Sequence, residues 1–154
     1  MIPVMLTVKG VDGVKSVVGQ HIGWSDYEVV DQAQIDRFAD ATGDNQWIHV
    51  DPERAKSGPF GGTIAHGYLT LALLPHFLPK LWEVEGFSMG VNYGCEKVRF
   101  PSPVPSGSRV RCGFTVDAVD DIPGGAQVLL TGTVEVEGAP KPSCVAQVVY
   151  RYYE

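Results

Sequence analysis

A two-residue alternation of apolar side chains runs through the second half of the chain and limits the folds that it can adopt. From about Ser88 onward this alternation predicts β-strands with one buried face. The four alternating segments lie at 91–100, 110–116, 128–136 and 144–152. Turn-forming residues separate them, most clearly in PSPVPSGS at 101–108. Strands that follow one another through turns pair most readily side by side, so we expect an antiparallel sheet.

The segment before these strands, YLTLALLPHFLPKLW at 68–82, is apolar on nearly every helical face. This pattern predicts a buried helix. Pro75 should kink or shorten the helix because proline removes an internal hydrogen bond, and Pro79 should help to end it. The segment is shorter than the roughly 20 residues that cross a bilayer. We therefore expect an α+β fold in which a curved antiparallel sheet wraps around a long central apolar helix.

The region before the central helix carries its own start and stop signals. Asp31 with Gln34 three residues later is typical of a capped helix start, and Gly43 is a helix stop, which predicts a helix over 32–42. A strand at 24–30 precedes this helix and completes the sheet.

A second, shorter helix is predicted from Asp51-Pro52, where an N-cap residue precedes a proline, to near Gly58. Short helices thus lie between the first strand and the central helix. The chain has 154 residues, which fits one domain over 1–154.

Composition excludes some classes of function. The formal net charge of -6 argues against a general nucleic-acid-binding protein, which needs clustered Lys and Arg. The N-terminal sequence has no apolar run after a basic start, so we expect a cytoplasmic protein with no membrane segment. Cys95, Cys112 and Cys144 are widely spaced, and we expect all three to be reduced packing residues.

Asp44 and His49 are the candidate chemical groups. Asp44 follows the helix stop, and His49 comes five positions later, which on one continuous helix would place the side chains about 140° apart. A loop must therefore carry them if they converge, and a carboxylate with an imidazole can then hold and activate a water. In a second interpretation Asp44 caps local backbone and His49 is a core histidine. The spacing alone does not choose between the two.

Three motifs in order resemble those of MaoC-like proteins. FADATGDNQWIHVDPERA at 38–55 resembles the hydratase signature of that family, in which a helix ends in Gly-Asp and a His follows at this spacing. His66-Gly67 stands where the family has the His-Gly that opens its central helix. VRFPSPVPSGSRV at 98–110 is similar to the strand-turn-strand segment of the family. Together the motifs are far more specific than any one alone.

The resemblance implies a hot-dog fold and an (R)-specific enoyl-CoA hydratase. Asp44 and His49 would activate a water for addition to trans-2-enoyl-CoA, and the backbone N-H of Gly67 would polarise the thioester carbonyl. No metal or other cofactor is implied, because coenzyme A belongs to the substrate. A homodimer is implied as well, since pairing covers an edge strand. Alternatives are a 3-hydroxyacyl-ACP dehydratase and a non-catalytic acyl-thioester-binding protein.

The chain departs from the family pattern at Gln46-Trp47, where relatives usually have Asn-Pro. Gln46 and Trp47 are therefore candidate substrate-binding residues, although Trp47 is more simply explained by packing. Pro75 stands where some relatives have a small polar residue near the site.

His66 is expected to bond backbone at the start of the helix, outside the catalytic set. A metal site built from His49, Asp51 and His66 matches no recognised ligand spacing.

Overall fold

The computed structural model describes residues 5–154, so the first four residues of the domain predicted over 1–154 lie outside the description. In chain order the strands are β1 (Leu6–Lys9), β2 (His21–Trp24), β3 (Glu28–Val30), β4 (Trp82–Glu85), β5 (Met89–Arg99), β6 (Ser108–Ile122), β7 (Gly125–Val136) and β8 (Cys144–Tyr153). The helices are α1 (Gly10–Lys15), α2 (Gln32–Thr42), α3 (Trp47–Val50), α4 (Pro52–Lys56), α5 (Gly67–Ala72) and α6 (Leu74–Phe77).

The main sheet is antiparallel throughout, as the alternation predicts. Five strands lie in the order β2-β6-β7-β8-β5, and β3 pairs with β6 beyond β2. The register is irregular in β2, β5 and β6, and such bulges bend strands. The four strands predicted in the second half of the chain are confirmed, with β6 and β7 extended to the turn at Gly124.

The strand predicted over 24–30 is two strands, β2 and β3, with a break after Trp24. At the break the Ser25 amide donates to the Cys112 carbonyl over 2.8 Å, and the Ser25 hydroxyl accepts from the Cys112 amide over 2.9 Å. A side chain thus replaces a backbone partner in the ladder, which the sequence pattern does not reveal.

The N-terminal elements are not predicted by the sequence pattern. Strand β1 pairs in parallel with β4 as a separate two-stranded sheet, and α1 follows β1 directly. Val8 and Val14 join the core from this region. Elements of only four to six residues carry too few apolar positions to establish a period.

The two capped helices are confirmed. The Asp31 carboxylate accepts from the Gln34 amide over 2.9 Å, and Gly43 ends α2 in the left-handed region with φ 82°. Asp51 accepts from the Arg54 amide over 3.1 Å at the start of α4.

The predicted long central helix is three short pieces: α5, α6 and a 3-10 turn over Leu78–Lys80. Pro75 lies in the first turn of α6, so the predicted break at this proline is confirmed. The prediction that the segment is buried on every side is wrong. The sheet covers the side with Leu74 and Phe77, each 1% exposed, whereas Tyr68 on the other side is 72% exposed.

The core lies between the sheet and the central helices. Leu74 approaches the sheet at Gly132, where an added Cβ would lie 3.0 Å from the Leu74 Cδ2 atom. Cys112 and Cys144 are buried, as expected of packing residues, but Cys95 on β5 is exposed, which corrects that expectation. Among residues 5–154, no helix is long and apolar enough to cross a membrane.

Candidate active site

His49 lies in α3, a helix of only four residues, and its side chain is buried. Its Nδ1 donates to the carbonyl of Ile64 over 2.7 Å, because a carbonyl can only accept. The Ile64 amide in turn donates to the Ile48 carbonyl over 3.0 Å. The two bonds tie Ile64 to α3 and orient the ring, with a proton fixed on Nδ1 and Nε2 taking no part in the bond to Ile64. The sequence predicted a loop here, so the helix at 47–50 is a difference from that expectation.

Asp44 lies in the predicted loop between α2 and α3, and it is exposed. Its carboxylate accepts from the Gln46 amide at 3.4 Å, which is long for a hydrogen bond. A carboxylate oxygen of Asp44 and a ring nitrogen of His49 lie within 4.8 Å of each other. One water with ordinary hydrogen bonds of about 2.8 Å to each group spans such a gap. The structure thus brings the two predicted residues together, while local capping by Asp44 is weak.

His66 contacts both members of this pair. Its Nε2 donates to the backbone carbonyl of Asp44 over 3.0 Å, which confirms the predicted bond to backbone. Its ring also stacks on the His49 ring, with centroids 3.9 Å apart and planes inclined by 23°. Sequence reasoning placed His66 outside the site, although its position beside Gly67 in the family motif was a usable signal.

Gln32 and Thr63 fix the position of α3 through hydrogen bonds. The sequence analysis did not identify either residue. The Gln32 side-chain amide donates to the His49 carbonyl over 2.7 Å, and the Thr63 hydroxyl donates to the Gln32 carbonyl oxygen. These partners are 17 and 31 residues apart along the chain, so no local pattern could have linked them.

The carboxylate and two imidazoles that lie together are those of Asp44, His49 and His66. Asp51, which the sequence-based grouping included, instead caps α4. The geometry does not favour a shared ion. The two imidazole rings are stacked, with centroids 3.9 Å apart and planes inclined by 23°, whereas ligands of one zinc ion aim their in-plane lone pairs at a common point about 2.0–2.1 Å from each nitrogen. A site without metal stays our expectation.

Gly67 is the first residue of α5, where backbone amides have no partner within the helix. Its amide has no hydrogen-bond acceptor in the described chain. An added Cβ at Gly67 would lie 3.0 Å from two carbons of the Phe100 ring. Both residues line a cavity of about 300 Å³, together with Ile64, Thr70 and Ser143. Gly67, whose amide has no acceptor among the described residues, thus lies in the wall of this cavity.

Two further cavities follow the uncovered side of the central helices. One of about 210 Å³ is lined by Tyr68, Leu71 and Cys95 among others, and one of about 480 Å³ reaches Trp82. Pro75 and Tyr150 line both. Because they share these residues, the two cavities form one apolar groove, which we call the helix groove, along α5 and α6 beside β5 and β8.

Gln46 and Trp47 do not share a contact partner. Gln46 is exposed at the start of α3, without a side-chain cap bond. Trp47 is half-buried, with the guanidinium of Arg54 4.4 Å above its ring, and an added Cβ at Gly58 would lie 2.9 Å from it. Trp47 thus packs against α4 and the turn after it, which supports the packing interpretation.

Comparison with known proteins agrees with this geometry. Residues 14–138 match the model of the MaoC like domain. A Mycobacterium tuberculosis protein named 3-hydroxyacyl-thioester dehydratase Z is 50% identical over 149 residues, which are 96% of this chain and 99% of that protein. Nodulation protein N of Rhizobium leguminosarum is 49% identical over 141 residues, 86% of this chain and 84% of that protein.

Solved structures agree in fold. The R-hydratase PhaJ1 of Pseudomonas aeruginosa superposes with a TM-score of 0.74 at 22% identity, covering 94% of this chain and 86% of its own. At that identity the likeness shows the hot-dog fold alone, whereas the family rests on the sequence matches. The chain therefore belongs to the MaoC-like family of dehydratases and hydratases, and it is a hydro-lyase.

Proposed function

We propose that the chain is an (R)-specific enoyl-CoA hydratase, which adds water reversibly to trans-2-enoyl-CoA to give (3R)-3-hydroxyacyl-CoA. The observation that carries the proposal is the approach of the Asp44 carboxylate to the His49 ring, within 4.8 Å. A pair at this separation holds one water between an acceptor and a second polar group. The proposal assigns catalytic roles to Asp44, His49 and Gly67.

In this mechanism the water oxygen bonds to C3 of the enoyl group, and a proton is delivered to C2. The pair removes one proton from the water and delivers one proton to C2, so it ends with the protons that it began with. His49 suits proton transfer because the Ile64 carbonyl fixes the proton on Nδ1 and leaves Nε2 as an acceptor.

Negative charge develops on the thioester oxygen while the new bond to C3 forms. The Gly67 amide at the start of α5 would donate to that oxygen and stabilise it, since helix N-termini carry partial positive charge. The helix groove runs along the same helix and is lined mainly by apolar side chains, so it would receive the acyl chain. Contacts of Gln46 and Trp47 with substrate, and the cytoplasmic location, stay predictions.

A second candidate is dehydration of a 3-hydroxyacyl thioester in the reverse direction, carried by coenzyme A or by an acyl-carrier protein. The name of the M. tuberculosis relative favours that direction. The same groups would serve both directions, because the forward and reverse reactions share one transition state. A non-catalytic acyl-thioester-binding protein is the alternative without chemistry.

We further expect the chain to form a homodimer through β5. This strand is an edge of the sheet. Its Met89 and Tyr93 side chains, and that of Phe100 directly after it, are large, apolar and exposed. Unpaired strand edges with apolar side chains favour pairing with another chain. Sedimentation of the purified protein should give twice the mass of the chain.

The test of the activity follows the absorbance of crotonyl-CoA with purified protein. The wild type should remove the conjugated double bond and form the 3R product, with the same rate in EDTA. Asp44→Asn and His49→Gln should each abolish the reaction, because each removes a proton-transfer group while conserving shape. The matched controls Asp40→Asn and His76→Gln, at exposed positions outside the site, should retain it.

Two other outcomes would replace the proposal. Release of free thiol from acyl-CoA would identify a thioesterase. An inactive wild type that still binds acyl-CoA would identify a binding protein.

A further inference from the structure

The His66 side chain is polar, only 2% exposed, and uses half of its hydrogen-bonding capacity. Its Nε2 donates to the Asp44 carbonyl, whereas its Nδ1 has no partner within residues 5–154. Burying an unpaired polar atom is costly, so a residue of this kind needs a reason to be there.

Capping of α5 is not that reason. His66 occupies the N-cap position, but its side chain makes no cap hydrogen bond to the helix. Serine, threonine, aspartate or asparagine would serve a helix start better. The contacts of the ring must therefore account for it.

Those contacts join separate segments of the proposed site. The ring lies on the His49 ring at 3.9 Å, and the ring of Phe38 contacts it at 4.8 Å with a tilt of 54°. The same ring holds the carbonyl of Asp44 at 3.0 Å. The next residue in the chain is Gly67. Three parts of the site that come from a loop, α3 and α5 thus meet at one buried side chain.

We propose that His66 is a positioning residue that sets the Asp44–His49 pair at a fixed place relative to the Gly67 amide. The inference rests on the proposed function, because it assigns a purpose to the spacing between the water and the thioester carbonyl. His66 acts through Asp44 and His49 and does not itself transfer a proton. Without it, the remaining hydrogen bonds of Asp44 within residues 5–154 are the long ones with Thr42 and Gln46, each at 3.4 Å.

Two substitutions separate the hydrogen bond from the stack. His66→Phe keeps an aromatic ring against His49 and removes the donor to Asp44. His66→Gln loses the ring but can place its amide nitrogen where Nε2 lies. His76→Gln, at an exposed histidine paired with Glu28, is the matched control.

We expect His66→Phe to lower kcat on crotonyl-CoA by about 10- to 100-fold, because misplacement of reacting groups by about 1 Å costs up to about 100-fold. KM should change less than about threefold. His66→Gln should recover at least part of the lost kcat, and His76→Gln should match the wild type. A merely structural role would instead lower the folded fraction and leave kcat per folded molecule unchanged.

A second readout needs no substrate. The Asp44 carbonyl and the Asn45 amide belong to the same peptide unit, so the hydrogen bond from His66 polarises the Asn45 nitrogen. The Asn45 amide resonance should shift in His66→Phe, and the loop amides should exchange with solvent faster than in His66→Gln.

Full kcat in His66→Phe, or an unchanged Asn45 resonance with protected loop amides, overturns the inference. If the wild type hydrates no enoyl thioester, the proposed function fails, and the amide readout still decides the role of His66 by itself.

Discussion

Replacement of Gly67 by alanine tests the most exacting contact of the site. Gly67 does not have a positive φ, so alanine meets no backbone strain. The new Cβ would lie 3.0 Å from two atoms and 3.2 Å from a third atom of the Phe100 ring. Ordinary van der Waals contact begins at 3.4 Å, so the three distances are about 0.2–0.4 Å too short and the Phe100 ring must move.

The cost in stability should be small because Phe100 is 42% exposed and can shift toward solvent. Overpacking in a core costs roughly 1–3 kcal/mol, and we expect the lower end, about 1 kcal/mol, or a Tm lower by about 2–4 °C. The cost in activity should be larger. A methyl group between the amide and the substrate should lower kcat/KM about 10- to 100-fold, since catalysis depends on sub-ångström placement.

The assay is crotonyl-CoA hydration with thermal denaturation of each variant. The comparison of Gly67→Ala/Phe100→Ala with Phe100→Ala alone removes the steric neighbour and isolates the glycine. We expect the loss due to Gly67→Ala to persist in that background. If it disappears, glycine is needed there only to make room for Phe100, and the reasoning on close approach of the carbonyl is refuted.

Two further predictions concern stability. Gly132→Ala places a Cβ 3.0 Å from atoms of Leu74 and Phe114, which are buried and cannot move outward, so the free energy of unfolding should fall by about 2 kcal/mol and Tm by roughly 4–8 °C in calorimetry. Gly62→Ala, with no atom within 4 Å of its Cβ, is the control, and an equal loss there would contradict the packing argument. Burial raises the pKa of Tyr150 from 10.0 to about 12, so the unfolded chain gives up this proton first as the pH rises. In urea titrations between pH 10 and 12, Tyr150 should contribute about 1.4 kcal/mol per pH unit to the fall in unfolding free energy, so Tyr150→Phe should reduce the slope by about that amount; identical slopes would exclude this origin.

Local signals predicted the elements that are stabilised locally. Helix α2 was predicted to the residue because Asp31 bonds a backbone amide three positions away and Gly43 supplies the left-handed residue that ends it. The strands of the second half followed from two-residue alternation, which reports directly on which face is buried.

Elements whose form depends on distant partners were predicted less well. The strand at 24–30 divides because Ser25 bonds Cys112, 87 positions away. The central helix was expected to be buried on all sides, yet the sheet covers one side only, and Tyr68 lies on the other. An apolar side chain indicates that its burial is favourable, but the sequence does not show which part of the protein covers that side chain.

The sequence by itself determined the antiparallel sheet, the capped helices and, through Gly-Asp, His-Gly and the turn motif, the identity of the two residues that lie within 4.8 Å. The tertiary structure alone decided how they are held: Ile64 orients His49, Gln32 anchors its backbone, and His66 stacks beneath it. Capping and alternation act over a few residues and leave a trace in order and spacing. Hydrogen bonds across 15 to 31 positions leave none, because any chain that brings the same groups together would satisfy them.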